Sequence, residues 1–308
     1  MKIFLVISKT NIKHYIIYSL ILFVLFSSLF LYFNEEKYIS VLNYQNNIYS
    51  DFDLDGDGIL DKLEILKESN KYTINIHSQN NVYTLYNSDN NKYLADTTSS
   101  FPIKVTFLDL SRDNIPEIII RATLDSKPVN YIFTFNNDNF NNIFQSEYNL
   151  LGLLDSNNNR TPSIYSLTSR KGDSSALAYM LINNKIKDIS SIKSNIPGLS
   201  IIQELIDYIE YPYELNTAPD IFSATIPKSD FSILWELNKN NNRYNFQSGY
   251  FYDYKWNKNG ESNGLIWNIS FNQVDKKNFS SLDKELSLYL TIEYDKYNEL
   301  KITSVVNK

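Results

Sequence analysis

The chain has 308 residues, a formal net charge of −6, no cysteine, two histidines and eight glycines, with 24 tyrosines and 18 phenylalanines. Without cysteine there is no disulfide framework, no thiol nucleophile and no thiolate-bound zinc or iron–sulfur centre. Two histidines exclude a multi-histidine metal centre, and the acidic balance argues against a nucleic-acid binder, which needs a basic face.

Residues 15–33 (YIIYSLILFVLFSSLFLYF) carry no charge. At ~1.5 Å per residue they reach across the ~30 Å hydrocarbon core of a bilayer. Lys2, Lys9 and Lys13 precede them, and Glu35 and Glu36 follow. The positive-inside rule then leaves residues 1–14 in the cytoplasm and the bulk of the chain outside. A cleaved signal peptide is the rival reading, but its apolar stretch is shorter and ends in small residues, whereas this one ends Leu31-Tyr32-Phe33. The expectation is an uncleaved anchor at 15–33 in a single-pass cell-membrane protein.

Residues 51–64 read Asp51-Phe-Asp53-Leu-Asp55-Gly56-Asp57-Gly58-Ile59-Leu60-Asp61-Lys-Leu-Glu64. With Asp53 as position 1, Asp55, Asp57, Gly58, Ile59, Asp61 and Glu64 fall at 3, 5, 6, 7, 9 and 12, the spacing of a calcium loop. Alternate carboxylates converge on one concave turn, Gly58 lets the backbone fold back, and the Ile59 carbonyl adds a neutral oxygen. The predicted Ca²⁺ ligands are Asp53, Asp55, Asp57, Ile59 and Asp61, with Glu64 and Asp51 as further donors. The alternative is a solvated acidic turn. Tyr72, Ile74 and Ile76 alternate in the segment that follows, which predicts a strand and argues against an EF-hand. Val82–Tyr86 is a second strand after an Asn80-Asn81 turn.

Asp109-Leu-Ser111-Arg-Asp113-Asn114-Ile-Pro-Glu117 matches Asp53, Asp55, Asp57, Gly58 and Asp61 position for position, and Asp155-Ser-Asn-Asn-Asn-Arg160 repeats the spacing more faintly. Each copy is followed by alternating segments, including 130–135 and 139–144 after the second and 176–182 and 185–189 after the third. Three units of an acidic loop plus about three strands are predicted.

These loops resemble the VCBS and FG-GAP-like repeat family of integrin-type β-propellers and bacterial surface proteins, over about residues 43–190, within a β-repeat domain expected at 43–195. The whole chain is similar to clostridial-type VCBS repeat-containing surface proteins. The resemblance implies blade-like β-units with calcium in an inter-strand loop. The second copy keeps three acids (Asp109, Asp113, Glu117) and has Asn114 for the glycine; the third keeps one acid and has Arg160 there. One complete site, a weaker second and a vestigial third are expected. Three units are too few to close a propeller of ~4–8 blades, so an incomplete, propeller-like domain is expected.

Beyond Pro197-Gly198, Ser200 and Gln203 have capping-box spacing, and Leu199, Ile202, Leu205, Ile206 and Ile209 form one helical face that Pro212 ends. Residues 196–228 read as helix and linker. Residues 229–308 read as a second helix followed by four long antiparallel strands, with Phe246, Tyr250, Tyr252, Tyr254 and Trp256 on one face of the first. Leu265, Trp267, Ile269 and Phe271 line the second, Leu286 to Tyr294 the third, and Leu300, Ile302 and Val306 the fourth. A helix on a curved meander suggests an NTF2-like or cystatin-like α+β module. The aromatic face of the first strand reads as core, with a sugar- or peptide-stacking platform as the alternative.

His77 reads as a surface residue. Pairs such as Glu204/Asp207 and Glu293/Asp295 read as exposed charge, and no nucleophile elbow, P-loop or dinucleotide fingerprint occurs. The functional expectation is a non-catalytic, calcium-binding adhesion or binding module of the cell envelope. Its ligand would be a cell-wall glycan or a surface protein, and nucleic acid is not expected. A sensor or accessory subunit of a membrane complex, and a cell-surface hydrolase, are the alternatives.

Overall fold

The computed structural model describes residues 41–43, 48–97, 101–156, 158, 161–169, 176–191, 196–213, 217–277 and 284–307, together with Tyr18 and Leu22. The expected cytoplasmic segment and anchor lie outside them, apart from those two residues, both helical. Among the described residues no helix is long and apolar enough to cross a membrane. The chain divides into Met1–Ser40 and Val41–Lys308. The described residues are mainly β, 53 % strand, with two helices in the second unit and no closed sheet.

A strand, a loop and three more strands occur three times in succession, the loop acidic in the first two. The first set is β2 (Ile48–Phe52), β3 (Asp61–Glu68), β4 (Lys71–Ser78) and β5 (Asn81–Thr84). The second is β7 (Lys104–Leu108), β8 (Glu117–Leu124), β9 (Lys127–Asn136) and β10 (Asn139–Ser146). The third is β11 (Leu150–Leu154), β12 (Ser163–Leu167), β13 (Leu177–Ile182) and β14 (Lys185–Asp188). Each set is an antiparallel meander. β1 (Val41–Asn43) adds to β7, and β6 (Ala95–Asp96) adds to β4. Asp125-Ser126, Asn137-Asp138 and Asn183-Asn184 make tight hairpins with positive φ at both residues. That twist suits right-handed strands and is tolerated best by Asn, Asp and Gly.

The first two sheets pack face to face. Leu63, Ile65, Ile74, Ile76 and Leu85 meet Val105, Phe107, Ile118, Ile120, Tyr131 and Phe133 in one core. β8 is buried on both faces: Ile118 and Ile120 enter that core, while Ile119 and Arg121 turn to the other side, each at most 3 % exposed.

That other side meets an eight-stranded sheet. Its order is β14-β13-β12-β11-β15-β16-β17-β18, where β15 is Asn242–Trp256, β16 Ser262–Asp275, β17 Lys284–Tyr294 and β18 Leu300–Asn307. β11 joins β15 in parallel, with Gly152 opposite Phe251. A Cβ on Gly152 would lie 2.0 Å from Phe251 Cζ, so only glycine lets that ring cross the joint. The border expected at 195/196 falls between strands of one continuous sheet.

Helices α1 (Leu199–Glu210) and α2 (Lys228–Trp235) cover the far face of this sheet. α1 buries Ile202, Leu205, Ile206 and Ile209 as the periodicity predicts, and Tyr208 as well. The expected capping box does not form. Gly198, at φ 74°, is the N-cap, and Gln203 instead bonds Ser169 and Asp207. Residues 221–223 run along β18 through backbone bonds to Ile302, which covers an otherwise open edge.

Two bulges correct the expected strand faces. An extra residue between Phe246 and Ser248 flips the alternation of β15. Phe246 and Phe251 therefore pack toward the helices, Phe251 stacked on Trp267 at 4.0 Å, whereas Tyr250 turns to the opposite face. A bulge opposite Thr291 and Ile292 turns Val305 inward in place of Val306, which is 44 % exposed.

A candidate metal centre in the first acidic loop

The loop leaves β2, turns through Asp53–Leu60 and enters β3 at Asp61. Leu54, 1 % exposed, plugs into the core between the first two sheets. That anchor turns the neighbouring acids outward into the bend. Gly56 and Gly58 take φ of 80° and 85°, a region that costs a side-chain residue about 1 kcal/mol or more. A Cβ on Gly56 would also meet Ile115 Cδ1 of the second loop at 2.5 Å.

Backbone amides fasten the carboxylates. Gly56 N–H donates to Asp53 Oδ1 at 2.7 Å and Gly58 N–H to Asp53 Oδ2 at 2.8 Å. Asp57 N–H donates to Asp55 Oδ1 at 3.1 Å, Ile59 N–H to Asp57 Oδ1 at 2.7 Å, and Leu54 N–H to Asp61 Oδ2 at 2.7 Å. Two residues of the β4–β5 turn add side-chain donors: Ser78 Oγ to Asp55 Oδ2, and Gln79 Nε2 to Asp57 Oδ2, both at 2.5 Å.

Asp53, Asp55 and Asp61 each bring one carboxylate oxygen within 4.8 Å of the others; they are the only three acidic side chains so grouped among the described residues. Asp61 is 2 % exposed and its Oδ1 has no hydrogen-bond partner. Ser78 lies close by, but a hydroxyl has one proton to give and it goes to Asp55. Burial is the main cause that raises the Asp61 pKa, with Asp55 and Asp57 adding repulsion. At such separations each pair of charges repels by about 1 kcal/mol in water and several times that near a protein surface. An oxygen already taking one N–H keeps a second lone pair, so the donor set fits a hard, oxygen-seeking cation such as Ca²⁺.

Asp57 is exposed and stands outside this group, as does Glu64. Glu64 lies within β3, where His77 Nε2 meets it at 2.9 Å and Lys62 at 3.5 Å. The bond from His77 is the first cause holding its carboxyl below the usual range. His77, expected at the surface, is thus half-buried and engaged across the strand pair.

The second loop reproduces four of the first loop's five backbone-to-carboxylate bonds, 56 positions on; the Asp57-to-Asp55 bond has no counterpart, because Ser111 stands where Asp55 does and its Oγ has no partner. Arg112 and Asn114 N–H donate to the two oxygens of Asp109 at 2.7 and 3.1 Å, Ile115 N–H to Asp113 at 2.9 Å, and Leu110 N–H to Glu117 Oε2 at 2.5 Å. Arg112 and Asn114 even share the positive φ of Gly56 and Gly58, at 68° each. The acids nonetheless do not converge as the first loop's do. Glu117 is 1 % exposed, and its longer side chain folds back so that one oxygen serves both Leu110 and Ser111. Burial pushes its pKa up to about 7. In the third loop Asn157, Asn159 and Arg160 lie outside the described residues; Asn158 N–H bonds the Asp155 backbone.

The loops touch in sequence. Ile115 lies against Gly56, Arg112 Nη2 reaches Thr161 at 3.1 Å, and Trp256 Nε1 bonds the Asp155 carbonyl at 2.9 Å. The sequence reading did not find Ser78 and Gln79, because a hairpin register rather than a motif brings them to the loop. No family model and no curated protein matches the chain.

Proposed function

We propose that the chain is a membrane-anchored, extracytoplasmic, non-catalytic binding module of the VCBS or FG-GAP-like kind, with Ca²⁺ held in its first acidic loop. The observation that carries this reading is the convergence of Asp53, Asp55 and Asp61 around a buried, unpartnered carboxylate oxygen. The apolar run at 15–33 supports the anchor and the outward topology. The Ile59 carbonyl and Asp57 would complete the shell once a cation draws the loop in.

The role of the ion is structural. Extracellular modules with Kd of ~10⁻⁴–10⁻³ M are filled by ~1 mM calcium, and binding to the folded state alone then stabilises by about 1 kcal/mol. The full-length protein should melt at a higher temperature as calcium rises through the millimolar range. The shift should vanish in the double variant Asp55→Asn/Asp61→Asn. An undiminished calcium response in that variant sinks the site.

A further inference from the structure

A second charged site lies where the sheet of β7–β10 meets the eight-stranded sheet, and here the buried charge is positive. Lys104 on β7 and Arg121 on β8 are direct cross-strand partners. They are 1 % and 3 % exposed. Like charges set opposite each other oppose strand pairing, and a buried cation is tolerated only when paired.

One carboxylate faces the two cations. Glu285 Oε1 takes Lys104 Nζ at 2.7 Å and Ser270 Oγ at 2.8 Å, and Lys104 also reaches Ser270 at 3.0 Å. That pairing satisfies Lys104, although burial still lowers its pKa to about 8. Arg121 has no comparable partner. Its guanidinium carbon sits 4.2 Å from the centre of the Tyr250 ring, which engages the face of the cation. Its Nε and Nη2 are buried with no hydrogen-bond partner.

Which two nitrogens are bare matters. Nε–H and Nη2–H point the same way along one edge of the guanidinium, the edge that grips two oxygens of a carboxylate or phosphate in a planar fork. Tyr250 Oη and Asn268 Nδ2, on register-paired residues of β15 and β16, are likewise buried and unpartnered. Tyr252 and Tyr289, half-buried, feel the Arg121 charge from β15 and β17. The Glu285 side chain is 22 % exposed, the most open of the charged groups here.

We propose that Arg121, with Lys104 as the second positive charge, binds a small oxyanion between the two sheets. The ligand would be a carboxylate- or phosphate-bearing molecule held two-pronged by Nε and Nη2, with Tyr250 and Asn268 as neutral donors. This site is independent of the calcium loop.

The test is a titration of the full-length protein at pH 7 in buffer stripped of divalent cations. Inorganic phosphate and acetate are added separately, each against chloride at matched ionic strength, and followed by calorimetry and melting temperature. A saturable response to phosphate assigns a phosphoryl ligand and one to acetate a carboxylate; either supports the site. Arg121→Lys keeps the charge but loses the fork, so binding should weaken at least tenfold, and Arg121→Met should abolish it. Wild-type protein that responds to neither anion beyond chloride overturns the proposal. So does an Arg121→Lys variant that binds as tightly as wild type. Both of those readouts stand even where Arg121→Met fails to fold.

Discussion

Asp61 carries a buried charge with one bare oxygen, and the sign of its effect depends on the cation. Asp61→Asn keeps a carbonyl for the Leu54 N–H and removes the repulsion. In calcium-free buffer that variant should melt a few degrees above wild type, and in millimolar calcium the order should reverse. The two loop glycines separate strain from crowding. Both have φ above 80° or at it, but only Gly56 faces a neighbour, Ile115. Gly58→Ala should cost about 1 kcal/mol and Gly56→Ala about 2 kcal/mol or more by urea unfolding. Lys104 gives a pH signature. Its folded pKa of about 8 lies below the ordinary 10.5, so between those values the unfolded chain holds more protons and stability rises with pH. Below pH 8 both states are protonated and the group adds no slope. Above pH 10 buried tyrosines such as Tyr165 and Tyr244, whose pKa values burial raises, reverse the trend. Urea midpoints at pH 7.5 and 9 should show the rise in wild type and lose it in Lys104→Met.

At the scale of elements, periodicity and turn chemistry made most strands legible. Tyr72, Ile74 and Ile76 alternate in β4, and Leu288, Leu290 and Ile292 in β17, and both strands form where expected. The errors sit at bulges. One extra residue near Gln247 sends Tyr250 to the face opposite the helices, and no composition rule marks a bulge in advance. The carboxylates Asp53, Asp55 and Asp61 were legible because their spacing is local; Ser78 and Gln79 were not, because strand pairing delivers them. The cations of the second site leave a faint trace in the sequence: a lysine and an arginine beside apolar runs, Lys104-Val-Thr-Phe-Leu and Ile118-Ile-Ile-Arg121. The parallel joint between β11 and β15 left none. It depends on Gly152, whose replacement by alanine would drive a methyl into Phe251, itself pinned by Trp267. Gly152→Ala should cost about 3 kcal/mol, measured by urea unfolding; a change within 0.5 kcal/mol would mean the joint adapts freely.

Across the whole unit, shared layers tie the loop to the far end of the chain. The first sheet packs on the second, the second on the eight-stranded sheet, and that sheet on the helices. All three tryptophans, Trp235, Trp256 and Trp267, belong to the last part of the chain, far in sequence from the acidic loop. Calcium should therefore raise the melting temperature seen by tryptophan fluorescence as much as that seen by circular dichroism. A fluorescence transition that calcium leaves in place would show that the sheets unfold separately. The same layering bears on how the chain reaches its native state. Lys104 meets Ser270 across 166 positions of sequence, and β11 waits for β15 before its edge is paired. Contacts that distant carry a loop-closure cost and slow folding. On a chain emerging from its N-terminal end, the first two meanders can form early and the third can seat Tyr179 on Phe144 and Ser166 on Ser146, but the face around Lys104 and Arg121 is not covered until the last quarter arrives. During that interval an open strand edge and a cationic sheet face are exposed, so refolding should be slow, sensitive to concentration and dependent on the final strands.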